Sequence, residues 1–184
     1  MGYVMDIAAH LSDTLKTLRQ ARGWSLTQAA EQTGVSKAML GQIERQESSP
    51  TIATLWKIAT GFNVPFSAFI APSQASERPV YDAHQGMTAE PLFPFDEQLG
   101  FDLLVVTLAP GAMSESSAHE AGAIEHVVVI SGEVALQIQG VWQTLQAGEG
   151  RRFAADQPHA YRNPTSSPTC FHSLIHYPRS AIQT

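Results

Sequence analysis

At 184 residues the chain is long enough for one large domain or two small ones, and either size buries enough apolar surface to fold without staples. A single cysteine, Cys170, excludes an internal disulfide. No apolar run approaches the ~20 residues that cross a bilayer, and residues 1 to 10 lack the basic-then-apolar pattern of a secretory signal, so a cytoplasmic protein without a membrane partner is expected. The net charge of −6 excludes a uniformly basic nucleic-acid binder, but the charge is unevenly spread. Residues 1 to 70 hold six Lys or Arg against five acids, and residues 71 to 184 hold five against twelve. An acidic body on a near-neutral head repels DNA except where the head's cations cluster, so non-specific binding should be weak and salt-dependent.

In chain order, Ile7, Leu11, Leu15 and Leu18 stand at helical spacing and predict a first helix over residues 6 to 22, stopped by Gly23. Ser25 caps a second helix to Thr33, with small Ala29 and Ala30 where two helices must approach closely. The stretch from Gly34 to Arg45 reads as a tight turn and a third, short amphipathic helix. Gly34 suits the positive φ of the turn, and Ser36 is a good N-cap. Leu40, Ile43 and Met39 should face the core, leaving Lys37, Ala38, Gly41, Gln42 and Arg45 outward. A helix laid in a DNA major groove needs such a face, small or polar with long hydrogen-bonding arms. Taken alone, these twelve residues fit an ordinary helical corner better, and it is their neighbours that change the balance. Pro50 and Thr51 then open a fourth helix with Ile52, Leu55, Ile58 and Ala59 on its apolar face, and Phe62, Val64, Pro65, Phe66 and Phe69 close a fifth, shorter turn.

The succession GVSKxxLxxIER, then PTxxTLxKIA, resembles the XRE type of helix-turn-helix, the family of the lambdoid phage repressors, over about residues 10 to 70. The resemblance implies a compact five-helix head that binds double-stranded DNA. It puts Lys37 and Gln42 at base edges, Ala38 against a thymine methyl, and Thr27, Gln28, Ser36 and Arg45 at phosphates. It also implies a structural ion pair between Arg19 and Glu44.

Residues 71 to 79 are small, polar and Pro-bounded, and read as a linker between a head at 1 to 70 and a second domain at 80 to 184. After them the periodicity falls to two. Strand-like runs appear at Phe101–Leu108, Glu125–Ile130, Val134–Ile138, Trp142–Leu145, Arg151–Phe153, His159–Arg162 and Phe171–Tyr177, with a hairpin turning at Gln139-Gly140. Many short strands suggest a sandwich or barrel. Glu125, Val127 and Val129 share one strand face, as do Cys170, His172, Leu174 and His176, which offer a second candidate pocket wall.

Gly111, His119, Glu125 and Gly132, followed by Gly148, His159 and Asn163, resemble the two motifs of the cupin family, a double-stranded β-helix barrel. Three positions depart from the pattern: Ser117 stands where a first histidine is expected, and Ala154 and Asp156 stand for a Pro and a Gly. The resemblance implies a ligand pocket, and a divalent metal (Zn, Fe or Ni) held by His119, Glu125 and His159, with Glu115 or Glu120 available for the lost ligand. Two readings of these three residues stay open: metal ligands, or hydrogen-bonding pocket residues without an ion.

A helix-turn-helix head joined to one cupin barrel resembles bacterial transcription regulators whose barrel senses a small-molecule effector and supplies the contacts of a homodimer. Such a dimer reads a palindrome, and the expected chain is no enzyme. The Gly34-to-Phe69 run, the segment from Glu115 to Ile130 and the ending His172 to Arg179 resemble enterobacterial regulators of sulphur utilisation more specifically. The alternatives are a metal-dependent cupin oxygenase or isomerase with a non-DNA-binding head, and a protein-binding module.

Overall fold

The computed structural model describes residues 7–70, 81–83 and 86–178, so the expected linker at 71–79 lies outside the described residues. The head has four α-helices, α1 (Ile7–Ala21), α2 (Leu26–Thr33), α3 (Lys37–Glu44) and α4 (Ile52–Phe62), and a 3-10 turn (Phe66–Phe69) in place of a fifth α-helix. The helix starts follow the cap signals. Ser25 and Gln28 form a reciprocal capping box, Ser36 Oγ accepts from Met39 N–H and Thr51 Oγ1 from Thr54 N–H. Gly34, at φ 65°, turns α2 into α3. Leu11, Leu15, Leu40, Ile43, Leu55, Ile58 and Phe62 are buried between the helices. α4 lies so close to α2 that a Cβ on Gly61 would stand 2.6 Å from Thr33 Cα.

Two antiparallel sheets make the barrel. The six-stranded sheet runs β1 (Tyr81–Ala83), β2 (Met87–Asp96), β3 (Phe101–Leu108), β10 (Thr169–His176), β5 (Ile124–Ser131), β8 (Gly150–Ala154). The four-stranded sheet runs β4 (Met113–Ser116), β9 (His159–Arg162), β6 (Glu133–Ile138), β7 (Val141–Gln146). The Gln139-Gly140 hairpin turns as expected, with φ of 52° and 79°. Three strands have no counterpart in the sequence reading. Pro91 and Pro94 mask β2, whose pairing with β3 slips beside Pro91. β4 buries two serines and exposes Met113 and Glu115, the reverse of the usual alternation. β1 is only three residues long.

The apolar cluster is continuous from Leu11 in α1 to Tyr177 after β10. Phe66 and Phe69 of the 3-10 turn are fully buried, and Asp102 of β3 accepts from Ser67 N–H at 3.3 Å. Head and barrel therefore share one core.

Candidate nucleic-acid interface and barrel pocket

α3 presents Lys37, Ala38 and Gln42 to solvent while Leu40 and Ile43 are buried, because residues three apart share a helix face. Thr27, Gln28, Ser36 and Arg45 are also exposed. Two of these polar groups are already engaged in caps: Gln28 Oε1 accepts from Ser25 N–H and Ser36 Oγ from Met39 N–H, each keeping a donor for an anion. Arg45 forks onto Glu47 at 2.8 and 2.7 Å, an exposed pair that a phosphate can replace. The expected outward position of Gly41 is corrected: it is buried, with a Cβ there 3.1 Å from Arg45 Nη1 and 3.7 Å from Leu26 Cδ1. Its smallness serves helix approach, not groove contact.

Arg19 and Glu44 form the expected ion pair. Arg19 Nε and Nη2 both donate to the Glu44 carboxylate and Nη1 donates to Trp24 O at 2.9 Å, tying the end of α1 to the end of α3. The side chains are 17% and 9% exposed, so water screens the pair little, and its partner holds the Arg19 guanidinium even more firmly charged. Glu44→Ala is expected to lower the melting temperature by several degrees in a calorimetric scan; an unchanged melt would show the pair to be idle.

In the barrel, alternation along β5 turns Glu125, Val127 and Val129 inward, all buried. Along β9, His159 and Tyr161 face the same interior. Glu125 Oε1 accepts from Tyr161 Oη–H and Ser173 Oγ–H, both at 2.6 Å. Its Oε2 faces His159 Nε2 at 3.4 Å and His119 Nε2 at 3.7 Å. His159 Nδ1 donates to Gln157 O at 2.9 Å, so in the neutral ring Nε2 carries a lone pair. Glu125 Oε2 and His159 Nε2 are both buried without a hydrogen-bond partner. Two lone pairs face each other there, and a positive charge must sit on or between them. Burial alone would raise the Glu125 pKa, yet the two imidazoles overcome it and hold the carboxyl well below the usual range. Burial would lower the His159 pKa, and the Glu125 carboxylate reverses that and raises it.

The donor atoms of His119, Glu125 and His159 lie within 4.8 Å of one another, a separation and a chemistry that fit a divalent ion with open positions. Neither expected substitute ligand joins them. Glu115 is exposed on β4, and Glu120 is drawn to Asn63 at the end of α4. Ser117 lines an outer cleft. Asn163 donates to the carbonyls of Leu108, Ala109 and Ser167, a structural role, and Asp156 accepts from Gly122 N–H at 3.0 Å. The second candidate wall is corrected: Phe171, Ser173 and Ile175 point inward, and Cys170, His172, Leu174 and His176 take the outer face of β10. Sequence reasoning missed Tyr161 and Ser173, although Tyr161 stands two residues from His159 on one strand face. It also missed Trp56, which leaves α4 to stand edge-on to His119 at 5.3 Å and lines the pocket. Only about 10 Å³ remains inside, room for at most one water.

Comparison with known proteins agrees with both halves. Residues 15–69 match the family model for a helix-turn-helix and residues 104–175 that for a cupin domain. The class is therefore a DNA-binding transcriptional regulator with a cupin barrel. Across 176 residues, 95% of this chain and 99% of the other, the sequence is 62% identical to the HTH-type transcriptional regulator SutR of Escherichia coli (strain K12). A solved HTH_3 family transcriptional regulator from Vibrio cholerae is 41% identical with a TM-score of 0.84, over 94% of this chain and 98% of that one. The cupin domain of an XRE family regulator from Enterobacter cloacae is 63% identical with a TM-score of 0.51, over 52% of this chain and all of the other. The chain belongs to the XRE family of helix-turn-helix transcriptional regulators that carry a cupin domain. Among the described residues no helix is long and apolar enough to cross a membrane.

Proposed function

We propose that the protein acts in the cytoplasm as a homodimer that reads a palindromic operator and answers a small effector through its barrel. The observation that carries the reading is the face of α3, where Lys37, Ala38 and Gln42 are exposed over a buried Leu40 and Ile43. Lys37 and Gln42 reach base edges, Ala38 meets a thymine methyl, and Thr27, Gln28, Ser36 and Arg45 hold phosphates, Arg45 by exchanging Glu47. Selection of fragmented genomic DNA by the purified protein is expected to enrich a short palindrome. Retention no better than by a Lys37→Ala/Gln42→Ala double variant would overturn the reading. Gln42→Ala alone should cost about 1 to 3 kcal/mol on that operator and relax choice at one base pair. An equal loss on all sequences would make Gln42 a backbone contact.

One recognition helix covers a few base pairs, so two heads about 34 Å apart are needed. The outer face of the six-stranded sheet suits a second copy: Val105, His172 and Val128 align across β3, β10 and β5, flanked by exposed Ile130. A Val128→Arg variant is expected to be monomeric in light scattering; a dimer would move the interface elsewhere. The genes controlled serve sulphur utilisation, a reading supported by the resemblance of the Gly34-to-Phe69 run and by the identity to SutR.

The positive charge the pocket requires is a proton on His159 or a divalent ion held by His119, Glu125 and His159; such an ion would supply a Lewis acid to the one water for which the pocket has room. Elemental analysis of untagged protein decides between them, with less than about a tenth of an equivalent of transition metal, after incubation, leaving the proton. A cupin enzyme is disfavoured because the pocket, lined in part by Trp56 of the head, keeps only about 10 Å³ for a substrate.

A further inference from the structure

A cleft of about 1000 Å³ opens between α4 of the head and the four-stranded sheet of the barrel. One helix face supplies Ile52, Ala53 and Lys57 to its wall, and the barrel supplies β4, the Gln139-Gly140 turn and the segment from Gln157 to Ala160. Apart from His159, Lys57 and Glu115 are the ionisable side chains of the lining. Both are exposed, and among the described residues neither forms an ion pair. The other polar groups are neutral amides and hydroxyls. Gln139 Nε2 donates to Gln157 Oε1 at 2.6 Å, which holds two of those amides on each other across the cleft rim.

A positive side chain from the head therefore lines a cleft whose negative side chain comes from the barrel. A net anion there meets Glu115 and a net cation meets Lys57, whereas a ligand with separated charges of both signs is attracted by each. Resting on the regulator reading above, we propose that this cleft is the effector site and that its ligand is a small amino-acid-like zwitterion, with its carboxylate on Lys57 and its ammonium on Glu115. The barrel interior is no rival, because its void of about 10 Å³ admits nothing larger than water.

The position of Lys57 explains how occupancy reaches DNA. Its neighbour Trp56 is 6% exposed, stacked on Phe66 at 3.9 Å and edge-on to His119. Gly61, one turn further on, seats α4 against Thr33 at the end of α2. A ligand that draws α4 toward β4 shifts a helix packed tightly on both the barrel and the helix-turn-helix, and close-packed contacts pass such a shift on rigidly.

The test uses full-length protein and each proteinogenic L-amino acid at millimolar concentration, with the corresponding amine and the corresponding deaminated acid as controls. At least one amino acid is expected to raise the melting temperature and to change operator affinity about tenfold, while its amine and acid do neither. Lys57→Gln and Glu115→Gln should each abolish both responses, Lys57→Arg should keep them, and all three variants should bind the operator like wild type without amino acid. The proposal is overturned if no amino acid acts, if an amine or acid acts as well, or if the responses survive both neutral variants. Failure of the regulator reading itself would be visible separately, as no operator retention by unliganded wild type.

Discussion

Glu125→Ala is expected to lose about 3 to 5 kcal/mol of stability, as for other buried ionic groups deprived of a partner. The carboxylate is 2% exposed and meets four groups at once: it accepts from the hydroxyls of Tyr161 and Ser173 and faces the imidazoles of His119 and His159 at 3.7 and 3.4 Å. Alanine leaves two buried hydroxyls and a charged or lone-pair-bearing imidazole without the carboxylate they face. Domain stabilities are about 5 to 15 kcal/mol, so much of the fold's margin goes with it. Glu125→Gln keeps an acceptor for both hydroxyls and removes only the charge, and should lose clearly less. Urea unfolding curves compare the three proteins, and an alanine variant as stable as wild type would refute the central role given to this carboxylate.

The head was legible because its signals are local. Ser25, Ser36 and Thr51 cap where their sequence context says, and the Arg19–Glu44 pair sits where the family resemblance puts it. The barrel was legible as a fold and less so as a site. Strand alternation separates Phe171, Ser173 and Ile175 from Cys170, His172 and Leu174 but does not say which set faces inward; pairing with β3 and β5 decides that, and those contacts are distant in sequence. β4 escaped notice because its inward residues are serines, and Gly41 was misplaced because a small residue looks alike on a groove face and in a tight helix contact. The packing of Trp56 on His119, 63 residues apart, has no sequence signature at all: an aromatic on α4 reads as head core.

The joint between the two halves carries its own cost, and the second large effect is expected there. Asp102 is fully buried against the 3-10 turn, is held by the backbone N–H and the side chain of Ser67, and leaves Oδ1 without a partner. Burial, opposed only in part by the backbone and side-chain hydrogen bonds of Ser67, pushes its pKa from 3.8 up to about 7. The sign follows from a folded-state pKa above the unfolded one. At pH 8 both states are ionised and the folded state bears the full cost of a buried charge; as pH falls through about 7 the folded carboxyl takes up a proton, and below 3.8 the cost is gone. Asp102→Asn keeps an acceptor for Ser67 and never ionises. It should therefore stabilise the protein by about 2 to 4 kcal/mol at pH 8, with the gain shrinking through the neutral range and vanishing near pH 4. Parallel stability curves for wild type and variant would refute the assignment. A converging pair would mean that the head–barrel joint loosens as pH rises, so that the contact through which α4 meets the barrel is weakest when Asp102 is charged.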